Sequence, residues 1–243
     1  MNRPAPSAAP GASSTRAAGH VNARTAATRA AIMTAAERLF AERGVSAVSN
    51  RQIGEAAGQA NNTAVAYHFG TKTDLIREII GRHSQYIDDR RAELLAQLHE
   101  PTGIRDWVRC LVLPSTEHFS ALGVPTWYAR FNAQVMADPT LRAIIYEDAL
   151  SSDTLKATLK GLRDSAGDIP LEIRRTRADM ARQLLIHMCA EYERELALRD
   201  PAAGPTTADA ATTDAAATGA TWESLGADLV DALTGLWNAP ITR

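Results

Sequence analysis

Asn61, Asn62, Thr63 and Ala64 stand in a row and have the side-chain chemistry of base-edge contacts. A carboxamide can bond adenine through both of its ends, and the methyl of Thr or Ala packs on the thymine methyl. Tyr67, His68 and Lys72 follow within eight residues. A phenol and an ammonium suit phosphate oxygens, which fix register rather than read sequence. His68 fits either a base or phosphate contact or simple packing between helices. These residues can act together only if local structure sets them on one face.

The flanking sequence predicts such structure. Ile32, Ala35, Ala36, Leu39 and Phe40 recur at helical spacing and predict a first helix over Thr25–Arg43, ended by Gly44. Ser49 and Gln52 have capping-box spacing and open a short helix with Ile53, Ala56 and Ala57 facing inward. Gly58 turns the chain into a third short helix at about 61–68, packed through Ala64, Val65 and Phe69. Two short helices joined by a glycine-containing turn form a helix-turn-helix pattern, in which the second helix meets base edges with its N-terminal residues. Thr71 is placed to cap a long fourth helix, with Asp74 at N3 and an apolar face of Leu75, Ile76, Ile79 and Ile80. A cation at Lys72 opposes that helix's dipole, which is explained if a phosphate sits there.

The whole chain carries 26 Lys+Arg against 28 Asp+Glu, which excludes a protein that is basic throughout. The charge is unevenly spread: residues 1–82 hold 10 basic and 5 acidic groups, whereas 83–243 hold 16 and 23. A basic head on an acidic body suits a nucleic-acid partner. Alanine-rich composition with 5% aromatics favours helix. Cys110 and Cys189 supply no disulfide framework, which points to a reducing, cytoplasmic setting. The apolar run Leu184 to Ala190 is interrupted by His187 and is far shorter than the roughly 20 residues of a membrane span, so no membrane partner is expected. Residues 1–24 lack an apolar signal core and read as a disordered leader. Its Arg16 and Arg24 are either solvated or minor-groove arms. Residues 200–221 hold small residues and read as a flexible linker. The expected organisation is a head over 25–82 and a body over 83–243.

TRAAIMTAAERLFAERG, then RQIGEAAG, then NNTAVAYHFGTKTDLIREII resembles the DNA-binding region of TetR-type transcriptional regulators over about residues 25–82. The most specific part is Tyr67-His68-Phe69 followed by Gly70-Thr71-Lys72. The resemblance implies an all-α homodimer: an N-terminal three-helix helix-turn-helix domain and a C-terminal helical domain for ligand binding and dimerisation. It implies a palindromic double-stranded operator and a small-molecule effector. Tyr67 and Lys72 fall on phosphate-contacting positions, Asn61, Asn62, Thr63 and Ala64 on the recognition helix, and Arg51 and Gln52 on the helix that crosses the backbone. Family recognition helices often carry Ser and Lys or Gly where this chain has Asn61-Asn62-Thr63, which leaves the half-site open.

Beyond residue 82 the resemblance is one of architecture. Trp107, Cys110, Leu111, Phe119, Trp127, Tyr128, Phe131 and Met136 are candidates to line an effector pocket or to pack a core. Pro170–Leu198 predicts one long helix with Met180, Leu184, Met188 and Tyr192 recurring by four, and a last helix at about 222–238 carries Leu225, Leu229, Leu233, Leu236 and Trp237. Two such stripes doubled by a two-fold axis make a four-helix interface, to which Leu184, Met188, Tyr192, Leu225, Leu229, Leu233 and Trp237 are assigned. No metal-ligand spacing, phosphate loop or nucleophile elbow occurs, so no cofactor, metal or catalytic residue is expected. The expectation is a repressor released by its effector. The rivals are an architectural DNA binder without a switch and a helical enzyme with a basic patch.

Overall fold

In a computed structural model of the chain, residues 12–61, 63–99, 103–199 and 221–242 are described. Among them all regular structure is helical: α1 (Ala12–Arg43), α2 (Asn50–Ala56), α3 (Ala64–Phe69), α4 (Lys72–Ala96), α5 (Ile104–Leu122), α6 (Tyr128–Ala137), α7 (Pro139–Ala149), α8 (Asp153–Ser165), α9 (Leu171–Arg199) and α10 (Trp222–Asn238). No helix among them is long and apolar enough to cross a membrane. The linker predicted over 200–221 lies outside the described residues except for Thr221.

The head closes on Ile32, Leu39, Phe40, Val48, Ile53, Val65, Phe69, Leu75, Ile76 and Ile79, all buried. Gly44 and Gly58 take φ of 83° and 68°, the left-handed geometry that lets each preceding helix stop abruptly. Both predicted capping boxes form, Ser49 with Gln52 and Thr71 with Asp74. Two boundaries differ from expectation. First, α1 begins at Ala12 rather than Thr25, because alanine and arginine favour helix and no proline interrupts the chain between Pro10 and Pro101. Part of the predicted leader is therefore helical, and residues 1–11 lie outside the description. Second, Ala56 is exposed and Gly54 is buried in its place. The apolar side of α2 is thus Ile53, Gly54 and the half-buried Ala57.

The head and body share one helix and meet at a second contact. α4 runs through the expected boundary at residue 82 without a break, and α1 packs on α6, with the Phe40 and Phe131 rings stacked at 6.1 Å. Between them lies a buried polar cluster. His83 Nε2 meets Glu37 Oε2 at 3.0 Å and His83 Nδ1 meets His118 Nε2 at 2.8 Å. Arg82 pairs with Glu37 at 2.5 Å, and Tyr128 stacks on His83 at 3.6 Å.

Pro114 sits inside α5 and has no N–H for the carbonyl of Cys110. Arg91 Nε of α4 donates to that carbonyl at 3.2 Å, which removes the vacancy and ties α4 to α5. Arg91 also pairs with Asp88, whose carboxylate accepts from Ser152 and Thr154 at the start of α8. α5 and α10 come close where Gly226 faces Thr116: a Cβ there would lie 2.7 Å from the Thr116 hydroxyl oxygen.

Most of the α10 stripe is not left for a partner chain. Leu229, Leu233 and Trp237 are buried, because α10 makes its most extensive contact with α5 of its own chain. Tyr192 of α9 is buried as well and meets Trp222 edge-on at 4.7 Å. These four residues are removed from the expected dimer face. Arg177 fixes the end of α10 by donating to the carbonyls of Trp237, at 2.8 Å, and Ala239, at 2.5 Å. What faces outward is a groove between α9 and α10 formed by Met180, Leu184, Met188, Ala232 and Leu236, with Met180 52% and Met188 42% exposed. Leu225 is half-buried.

Candidate nucleic-acid interface

Asn61 does not begin α3. Its side-chain Oδ1 accepts from Thr63 N at 2.9 Å and Thr63 Oγ1 at 2.8 Å, forming a local turn that competes with helix. α3 therefore starts at Ala64, three residues later than predicted. Ala64 is 7% exposed and packs inward, so its methyl is spent on the core and not on a base. Asn61, Thr63 and Ala66 are exposed on this side of the head, while Asn62 lies outside the described residues. Tyr67 is 82% exposed, an unusual position for a large aromatic ring, and it stands edge-on to His68 at 5.0 Å. His68 is half-buried between Tyr67 and Phe69.

Lys72 has a different place from the one expected. Its Nζ donates to the carbonyls of Val45 and Val48, at 3.1 and 2.6 Å, and so closes the α1–α2 connection. An ammonium has three N–H groups, so one remains for an anion. The cation at the start of α4 is accounted for first by these two carbonyls. The neighbouring Asp74 is held below the usual carboxylate range by hydrogen bonds from the Thr71 hydroxyl and backbone. Gln52 is engaged in the α2 capping box through Oε1, and Arg51 pairs with Glu55 at 2.9 Å. Both lie in the first turn of α2, directly after the α1–α2 connection.

Arg29 was not singled out from the sequence. Its guanidinium lies over the Phe69 ring at 4.4 Å, pairs with Glu78 at 3.0 Å and donates to the His68 carbonyl. It thereby holds α3 between α1 and α4. No spacing rule marks it, because its partners lie about 40 to 50 residues on in sequence.

The eight aromatic and apolar candidates of the body divide. Phe119, Tyr128, Phe131 and Cys110 are buried in the shared core. Trp107 packs against the backbone of Gly161, where any Cβ would overlap its indole, and Trp127 immediately precedes α6. Of the eight, Leu111 and Met136 line a cavity of about 230 Å³, whose walls come from α5 to α10. A second, polar cleft of about 340 Å³ lies between α4, α7 and α8, where Arg77 pairs with Asp148 at 2.8 Å. Cys110 and Cys189 are free and buried, and burial pushes both thiols up, Cys189 to about 12. Neither is a ready nucleophile.

The arrangement is a helix-turn-helix whose exposed side carries a carboxamide, a hydroxyl and a phenol, with no charged carboxylate among those three residues. It can donate to and accept from base edges and phosphates. Residues 32–79 match the profile of the family described as "Bacterial regulatory proteins, tetR family". Comparison with curated proteins gives no match.

Proposed function

The head of this chain is a tetR-family DNA-binding domain and the protein a DNA-binding transcriptional regulator; from that premise we propose that it is a homodimeric repressor released from a palindromic operator by a small-molecule effector. The observation that carries the reading is Tyr67, 82% exposed on α3 one turn after the exposed Thr63, with Asn61 exposed just before it. Tyr67 supports phosphate contact, and Asn61, Asn62 and Thr63 base contact. Arg51, Gln52 and His68 stand at its edge, and Lys72 contributes its remaining N–H.

The α9–α10 groove supports the dimer. Met180, Leu184, Met188 and Leu236 are an apolar strip that a second copy covers by two-fold symmetry. Two heads then read half-sites about 34 Å apart. An effector entering the body shifts α4, which runs unbroken from the head into the body, and spoils that spacing.

Equilibrium binding to duplex DNA across a salt series tests this. The logarithm of the binding constant is expected to fall linearly with the logarithm of salt concentration. Tyr67→Ala is expected to weaken binding to all duplexes alike without moving the melting temperature. Lys72→Met is expected to cost the head about 1–2 kcal/mol, since two carbonyls lose a charged donor, and to weaken DNA binding as a consequence. DNA affinity untouched by Tyr67→Ala would contradict the placement of the interface.

A further inference from the structure

The cavity lined by Leu111 and Met136 holds two donors that the fold leaves unanswered. Arg182 Nη1 and Trp237 Nε1 are buried without a hydrogen-bond partner, and both residues line this cavity. Trp237 is 6% exposed, so water does not reach its indole freely. Leaving a buried N–H unpaired is costly, and leaving part of a buried guanidinium unpaired is costlier. Native folds keep few such groups, and each calls for an explanation. Arg182 has its other arm engaged: Nη2 donates to Asp179 Oδ1 at 3.1 Å, and that aspartate side chain is 72% exposed at the rim. The buried end of the fork is the end without an acceptor. The remaining walls are mainly leucine and alanine, with Leu155, Leu159, Leu162 and Leu185 among them.

We propose that this cavity is the effector site and that its ligand is a small hydrophobic carboxylate. The tail lies against the leucines, and the carboxylate accepts from Arg182 Nη1 and Trp237 Nε1. A cationic donor of fixed fork geometry favours an anionic acceptor over a neutral one, and an ammonium is repelled. A volume of about 230 Å³ corresponds to about eight water-sized groups, which sets the tail at a short acyl chain or one aromatic ring. The assignment rests on the reading of the protein as a DNA binder released by an effector.

The same cavity has a route to the head. Ala149 and Leu155, on either side of the α7–α8 corner, face both this cavity and the polar cleft beside α4. Asp148 at that corner holds Arg77 of α4, and Ser152 holds Asp88. A ligand that displaces the corner acts on α4 through these two contacts.

Titration calorimetry of the full chain, free of DNA, with sodium octanoate tests the assignment, with octylamine as the matched cation. Octanoate is expected to bind one per chain and octylamine to bind at least roughly tenfold more weakly. Arg182→Gln is expected to weaken octanoate roughly tenfold or more, and Trp237→Phe several-fold, in protein whose circular dichroism and melting match the wild type. Leu159→Trp, which fills the cavity, is expected to abolish binding and serves if either polar variant fails to fold. Equal binding of octylamine, undiminished binding in both polar variants, or no octanoate binding at millimolar concentration would overturn it. DNA binding is followed on the same preparation. Octanoate that binds in this manner without releasing DNA upholds the site and overturns the switch. Release of DNA by other compounds, with octanoate inert, upholds the switch and overturns the carboxylate.

Discussion

Glu193→Ala is expected to destabilise the protein by about 3–5 kcal/mol, the range for removing one partner of a buried ion pair. Glu193 is 1% exposed, and both of its oxygens are in use. Oε1 accepts from Ala129 N at 3.1 Å, and Oε2 accepts from Arg130 N at 2.9 Å and from Arg130 Nε at 3.0 Å. The first N–H groups of α6 have no intrahelical acceptor, so this carboxylate of α9 serves as their cap. Truncation strands two backbone donors and removes the counter-ion of a guanidinium whose side chain is 12% exposed and which keeps only the Thr126 carbonyl. Arg130→Ala is expected to cost less, because Glu193 keeps both backbone hydrogen bonds. Urea unfolding followed by circular dichroism measures both variants. A loss below about 1 kcal/mol for Glu193→Ala would contradict the capping role.

The second large effect is a loss of stability on acidification. Burial, reinforced by the neighbouring His83 and partly offset by Glu37, lowers the His118 pKa to about 4. The unfolded chain takes up this proton near pH 6.5, whereas the folded chain refuses it until about pH 4. His118 therefore contributes its full stabilisation above about pH 6.5, and that contribution is lost as the pH falls towards 4. At pH 5 the loss amounts to about 2 kcal/mol. Burial is the main cause, and the 2.8 Å contact between His83 Nδ1 and His118 Nε2 sets the second imidazole close enough to add to it. Urea unfolding of the wild type and of His118→Gln at pH 7 and pH 5 separates this group from the other titrating ones. The variant is expected to lose about 2 kcal/mol less than the wild type over that interval. Equal losses would show that His118 does not titrate as an uncharged buried group. The cluster joins α1, α4, α5 and α6, so acid weakens the junction of head and body.

How much of this could be read beforehand depended on the range of the interactions. Ser49 with Gln52, Thr71 with Asp74, Gly44 and Gly58 are local, and each acts as predicted because its partner lies within a few residues. The long helix α9 and the last helix α10 fall within one residue of their predicted bounds for the same reason. The start of α3 was misplaced because Asn61 bonds Thr63 instead of joining the helix, and propensity alone does not decide between the two. The inward stripe of α10 was visible as apolar, but its periodicity is the same whether α5 or a second chain covers it. The sequence points Lys72 at a phosphate alone, because its acceptors, the carbonyls of Val45 and Val48, are backbone atoms with no sequence marker. Glu193 and Arg91 were missed since their partners lie 63 or 64 and 19 residues away. Pro114 did carry a signal, since a proline inside a helix implies an unpaired carbonyl at Cys110 that some donor must meet.

Selection of bound duplexes from a random DNA pool by the full-length protein bears most directly on the proposed dimer as a reader of DNA. The expected product is one inverted repeat, with half-sites centred about one helical turn apart, and with preference at a single base position changed by Asn61→Ala or Thr63→Ala. A pool that stays random after repeated rounds, or a single unrepeated site, would contradict it.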